Sequence, residues 1–244
     1  VRKNLYVDVV KPSEKIIQLN NRSFTFLPVD GDFDNDTVVD TLLSQVFYQS
    51  MAVGFKDNFL EAPFIDSSAF SYRSQLTPHE LLIDSVTGNP HWQNMRKIAL
   101  RCDADYLMTV DDVRLLFNEE VNSRYYDGIK YYQKIRTIRV IASFALYAPF
   151  VESKMDAFDY REEFVWDGVA ELRVDVDKEL PSVQKTIKEA AYWSARDYMS
   201  RLLPQWEQER RYIYSAGNAQ LREGYQFFEK GDLDKAKELW LLAT

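Results

Sequence analysis

The sequence predicts an α/β (α+β) fold: a mixed sheet with helices packed on it, followed by a C-terminal helical hairpin. Three observations carry this. Strand-like apolar segments alternate with amphipathic helical stretches over roughly the first hundred residues. Strand-like runs then follow one another, Lys134 to Tyr147 and a further one within Tyr160 to Val174. The last 28 residues, Gly217 to Thr244, place small and aromatic side chains where two short helices would touch. Alternation followed by a meander calls for a mixed sheet. The expected boundaries are 1–214 for the α/β domain and 215–244 for the hairpin.

In chain order, Leu5 to Val10 and Ser23 to Val29 read as strands, the second ending at Pro28-Val29. An acidic stretch, Asp30 to Asp36, leads into a helix from about Thr37 to Ala52. Val38, Val39, Leu42, Leu43, Val46, Phe47 and Met51 form its apolar stripe. Phe64 to Asp66 is a short strand candidate. Thr77-Pro78-His79-Glu80 has the form of a capping box with proline in the first turn, opening a helix to about Asp84. Asn89-Pro90 starts another, with Trp92, Met95, Ile98, Ala99 and Cys102 on one face.

A strand then runs from Ala104 to about Phe117, and Asn118 to Tyr132 reads as a polar, tyrosine-rich hairpin connection. Pro181 to Leu203 is the strongest helix, with a stripe from Val183 through Ile187, Ala190, Ala191, Ser194, Ala195 and Tyr198 to Leu202. Pro204 ends it, and Gln205 to Tyr214 links to the hairpin with room for one more strand. Each of the three long helices has a single apolar stripe, so one sheet face is expected to receive them.

Composition narrows the function. The net charge of −8 opposes nucleic acid as a partner, since phosphate binding needs a basic surface. No run of 18 apolar residues is present, so no membrane-spanning helix is expected. The single cysteine, Cys102, precludes an internal disulfide and is placed in the core. The chain starts at Val1 rather than at methionine, which points to a removed signal or a trimmed chain.

The terminal 28 residues resemble one tetratricopeptide repeat. Counting Gly217 as position one, Gly224, Phe227, Ala236, Trp240 and Ala243 fall at the repeat's small and aromatic positions. Gly224 and Ala236 would let the helices approach, Phe227 and Trp240 would fill the groove, Gly231 would stop the first helix, and Asp232 or Asp234 would cap the second. Gln220 and Glu223 depart from the repeat pattern. Such units are stabilised by neighbours, so the array is expected to continue beyond Thr244.

Two further segments, Ser23 to Val29 and Ala104-Asp105-Tyr106-Leu107-Met108-Thr109, resemble the signature strands of a bacterial envelope superfamily. It includes the TolB amino-terminal domain and the curli-secretion CsgG family. With Pro204, Trp206 and Arg210 or Arg211 after the last long helix, the chain also resembles Bacteroidetes-type lipoproteins that join this domain to tetratricopeptide repeats. The resemblance implies a periplasm-facing lipoprotein, anchored by a lipid outside this chain, whose role is assembly and interaction. It implies no catalytic residues, and pore formation does not carry over because no membrane hairpin of suitable alternation is evident.

Residues able to do chemistry are sparse. His79 and His91 each follow a proline at a helix start, and with one cysteine they do not compose a zinc site. All eight glycines are isolated, so there is no phosphate-cradling loop and no cofactor is expected. Asp30, Asp32, Asp34 and Asp36 alternate as calcium ligands do, although Asn35 and Thr41 stand where a calcium loop needs glycine and glutamate. Helix capping is the plainer use for them. Asp111 and Asp112 are expected on opposite sides of a strand, and Asp175 and Asp177 in solvent. Tyr125, Tyr126, Tyr131 and Tyr132 offer either sheet packing or an exposed patch. These features favour a non-enzymatic interaction protein, with a calcium- or small-ligand-binding domain around residues 30–36 as the alternative.

Overall fold

A computed structural model describes residues 2–12, 22–30, 41–63, 65–84, 87–214 and 217–243. It is a mixed α/β structure. The strands are β1 (Arg2–Lys11), β2 (Phe24–Asp30), β3 (Phe70–Tyr72), β4 (Thr77–Pro78), β5 (Tyr106–Tyr126), β6 (Ile129–Ala148), β7 (Ser153–Ala170) and β8 (Gln205–Tyr214). The helices are α1 (Thr41–Glu61), α2 (His79–Leu82), α3 (Trp92–Cys102), α4 (Val183–Leu202), α5 (Ala219–Glu229) and α6 (Leu233–Leu242).

The chain divides into two compact units, one of residues 12–204 and one of residues 1–11 with 205–244. The sequence places 1–214 together. In the structure β1 pairs only with β8, antiparallel from Arg2 opposite Tyr214 to Lys11 opposite Gln205, and both fall with the hairpin.

In the larger unit the sheet order is β3-β2-β5-β6-β7, with β4 also beside β2. β2 is parallel to β3, β4 and β5, while β5, β6 and β7 form an antiparallel meander. Pro28 lacks an N–H, and the outer pairing of β2 lapses there, between Phe26 opposite Tyr72 and Val29 opposite Thr77.

Two hydrophobic cores lie on the two faces of this sheet. Phe24, Phe26, Met108, Val110, Phe144 and Leu146 point to one face and meet α1 and α4. Leu27, Val29, Leu107, Ala145 and Tyr147 point to the other and meet α2 and α3. Side chains alternate along a strand, so β2, β5 and β6 each feed both cores. The expectation that one face receives all three long helices is corrected: α3 sits opposite α1 and α4. An apolar stripe states that a helix is covered, not by which face.

Helix α1 outruns its expected end at Ala52, burying Phe55 and Phe59 as well as Phe47 and Met51. Gly54, a poor helix former, lies inside it for a packing reason. A Cβ there would stand 2.4 Å from the Tyr192 carbonyl oxygen and 3.1 Å from Ala195 Cβ of α4. The helices approach as closely as backbone allows. The α4 stripe lies as expected from Ile187 to Leu202, except that Val183 is exposed.

The capping box at Thr77 does not form. Thr77 is buried in β4, and the short α2 begins behind Pro78 without a side-chain cap. Phe70–Tyr72 supplies a short edge strand; of the expected strand Phe64 to Asp66, Ile65 and Asp66 are not strand and Phe64 lies outside the described residues. The polar connection expected over Asn118 to Tyr132 is instead strand almost throughout. β5 and β6 are 21 and 20 residues long and turn at Asp127-Gly128, both at positive φ, as a tight two-residue hairpin requires.

Candidate functional site

The hairpin is built as its small residues demand. Asn218 caps α5 by accepting from the Leu221 N–H at 2.9 Å, and Asp232 caps α6 by accepting from the Lys235 N–H at 3.1 Å. Gly231, at φ +79°, reverses the chain between them. Gly224 is buried, and a Cβ there would lie 2.6 Å from Trp240 Nε1 and 3.3 Å from the Ala236 carbonyl oxygen. Ala236 is fully buried, and Trp240 Nε1 donates to the Leu221 carbonyl at 3.4 Å.

Phe228 meets the Trp240 ring at 5.9 Å between centroids. Phe227 is half-buried under the Lys230 ammonium, 5.6 Å from its ring, and Ala243 closes the last turn of α6. On α6, Leu233 in the first turn and Leu241 and Leu242 in the last are exposed by 61%, 66% and 68%. Leu241 and Leu242, adjacent in the last turn, leave that end of α6 apolar and exposed.

Of the expected metal ligands, Asp32, Asp34 and Asp36 lie outside the described residues. Asp30 ends β2, and its side chain is likewise outside them. Among the described residues no three His, Cys, Asp or Glu side chains gather as a metal would require. His79 and His91 are half-buried, the latter at the N-cap of α3. Cys102 ends α3, partly buried against the α3 core.

Asp111 and Asp112 sit at a feature the sequence did not announce. β5 carries one extra residue between Asp111, opposite Ser143, and Arg114, opposite Ile141. Asp112 takes φ +50° at this bulge, and its carboxylate receives Arg114 Nε at 3.1 Å. Asp111 turns inward. Among the described residues its buried Oδ1 finds no hydrogen-bond partner, nor does Oγ1 of Thr109 two residues earlier. Burial pushes the Asp111 carboxyl up to about 6, against the opposing pull of His79 and Lys154. Tyr147 is pushed up to about 12 by burial and then by the Asp111 charge.

Asp175 and Asp177 serve structure. Lys178 bonds Asp175 at 2.5 Å, and Lys134 bridges Asp177 and Glu119 at 2.6 Å each. Arg136 joins them, donating to Glu119 at 2.6 Å and to the Pro181 carbonyl at 2.5 Å. The hydrogen bond from Lys134 holds the Asp177 carboxyl below its ordinary range. Together they fasten the segment before α4 to the hairpin strands. Tyr125 is exposed, while Tyr131 and Tyr132 are half-buried, with Lys130 Nζ 5.0 Å from the Tyr132 ring.

With this geometry in place, comparison with known proteins is informative about family. The model of the family described as "Domain of unknown function (DUF8603)" matches residues 84–214, more than half of the chain. The chain belongs to that family. The family segment holds α3, the β5–β6–β7 meander, α4 and β8. No curated protein matches the sequence.

Among solved structures, a neuraminyllactose-binding hemagglutinin homolog from Helicobacter pylori is similar at 13% identity and a TM-score of 0.40. The likeness covers 79% of this chain and 90% of that one. A PelC dodecamer from Paraburkholderia phytofirmans is similar at 7% identity and a TM-score of 0.29, over 82% of this chain and 98% of the other. Neither is near enough to carry a function across.

Proposed function

We propose that the protein is a non-enzymatic scaffold of the bacterial cell envelope that docks protein partners through its C-terminal helical hairpin, a unit of tetratricopeptide type. One observation carries the reading: α5 and α6 close on Gly224 and Ala236 while Leu233, Leu241 and Leu242 stay exposed. A helix pair whose last turn is apolar and exposed is stabilised by covering that end, whether with another helical unit or with a partner. The envelope setting is supported by the resemblance of Ser23 to Val29 and Ala104 to Thr109 to envelope-domain strands.

The test is affinity capture from envelope extract with the wild-type chain and with the double substitution L241E/L242E. These side chains are exposed, so circular dichroism should show the same helix content in both. Loss of captured partners in the variant supports the reading. Capture of the same proteins in the same amounts by both chains ends it.

A further inference from the structure

In a chain of net charge −8, arginines are expected to end on carboxylates. Six do so: Arg22 on Asp105, Arg96 on Glu152, Arg114 on Asp112, Arg136 on Glu119, Arg139 on Glu163 and Arg196 on Glu61. Among the described residues Arg124, Arg161, Arg173 and Arg222 do not, and nor do Arg73 and Arg101. Arg73 and Arg101 both line one open cleft of about 400 Å³. The other lining residues are Thr25, Ser71, Tyr72 and Cys102, so among the described residues no carboxylate lines it.

The floor of the cleft is held by the sheet. Thr25 of β2 and Ser71 of β3 are cross-strand partners, their hydroxyl oxygens 2.7 Å apart, and Thr25 is only 1% exposed. Ser71 Oγ also reaches the Phe24 carbonyl at 3.3 Å. In one arrangement Thr25 donates to Ser71, which donates to Phe24. Rotating the Ser71 proton toward Thr25 frees the Thr25 proton for a ligand. Arg73 follows β3 directly, and its backbone N–H donates to the Phe26 carbonyl at 3.1 Å, fixing its base at the sheet edge. Arg101 comes from the last turn of α3, beside Cys102. The Tyr72 ring turns to the other sheet face, where it stacks on Phe26 at 5.5 Å, so the hydroxyls and guanidinium groups are the cleft's polar donors.

We propose that this cleft binds the phosphate group of a ligand, with Arg73 and Arg101 supplying forked charged donors and the Thr25–Ser71 pair the hydroxyl floor. Donors arriving from a sheet face, a strand end and a helix end surround a tetrahedral oxyanion better than a planar carboxylate. Guanidinium groups match phosphate oxygens in geometry as well as charge. The proposal is independent of the docking role of the hairpin.

The experiment is a titration of the full 15N-labelled chain with inorganic phosphate at constant ionic strength. Saturable shifts are expected at the amides of Thr25, Ser71, Arg73 and Arg101. R73A and R101A should each weaken the apparent affinity about tenfold, and R73A/R101A should abolish it, with the thermal midpoint unchanged. Shifts that persist in the double variant overturn the proposal, as does acetate acting as strongly as phosphate. Glycerol 3-phosphate and phosphatidylglycerol vesicles separate a soluble ester from a lipid headgroup. Binding of either that is lost in the double variant supports the cleft, and binding of neither overturns it.

Discussion

Upstream of the bulge at Asp112, β5 and the segments of β2 and β6 beside it are covered on both faces. Beyond the bulge, β5, β6 and β7 run on with only one face against helix. In the inner half, Phe24 to Val29, Tyr106 to Val110 and Phe144 to Ala148 are buried at every residue. In the outer half the pattern alternates. Leu115, Ile138 and Val140 meet the α1/α4 core, while Leu116, Val165 and Val169 are exposed on the opposite face. That bare face carries polar cross-strand pairs, Arg139 with Glu163 at 2.8 Å and Gln133 with Asp167 at 3.1 Å. Two-sided burial writes a strand as an unbroken apolar run, and one-sided burial writes it as an alternation. β5 and β6 are thus held by packing at one end and mainly by ladder hydrogen bonds and side-chain pairs at the other.

The sharpest test of this contrast is Phe144→Ala in the inner half of β6. Phe144 stacks on Tyr198 at 4.5 Å and meets Phe55 edge-on. The loss should be about 3–5 kcal/mol by urea denaturation. Gly54→Ala tests the helix pair over the same half. Helix propensity alone would raise stability by about 1 kcal/mol. The approach to the Tyr192 carbonyl should reverse the sign and cost about 2–3 kcal/mol, and a stabilised variant would refute the close contact.

Asp111→Asn probes the border between the halves. Because the folded Asp111 carboxyl is raised to about 6 from an ordinary 3.8, the native state holds the proton more tightly than the unfolded chain. Stability from this group is therefore full below pH 4 and declines as pH rises to 6. The amide should remove that slope and stabilise the chain at pH 7 by about 2 kcal/mol, read from denaturation midpoints between pH 4 and 7. The smallest effect belongs to the bare face. Val165→Thr should stay within about 0.5 kcal/mol of wild type, and a loss as large as that of Phe144→Ala would mean the face is covered in solution.

What could be read from the sequence follows the same division. The inner strands and the α3 and α4 stripes were legible because burial writes a period into them. The outer hairpin was not, since Asn118, Glu119, Asn122, Lys130 and Gln133 look like loop residues and are strand through cross-strand partners. The signal that would have found it is Asp127-Gly128, a two-residue turn between alternating flanks. Gly54 hid the second half of α1 because propensity marks it as a stop and only the opposing helix explains it.

The hairpin α5–α6 was legible in its small residues, but not in the Phe228–Trp240 ring contact, which depends on helix phase. The phosphate cleft left no trace in spacing. Thr25, Ser71, Arg73 and Arg101 come from three distant stretches and meet only through parallel pairing.

The extra residue at Asp112 has a consequence for how this chain can change length. Upstream, Met108 and Val110 face the α1/α4 core; downstream the inward positions are Val113, Leu115 and Phe117. Even numbers give way to odd at that single step. A descendant lacking one residue there would turn Leu115 and Phe117 to water and drive Arg114 and Leu116 inward. Growth or shrinkage of the long hairpin is therefore confined to paired changes across β5 and β6 at its far end, where parity survives.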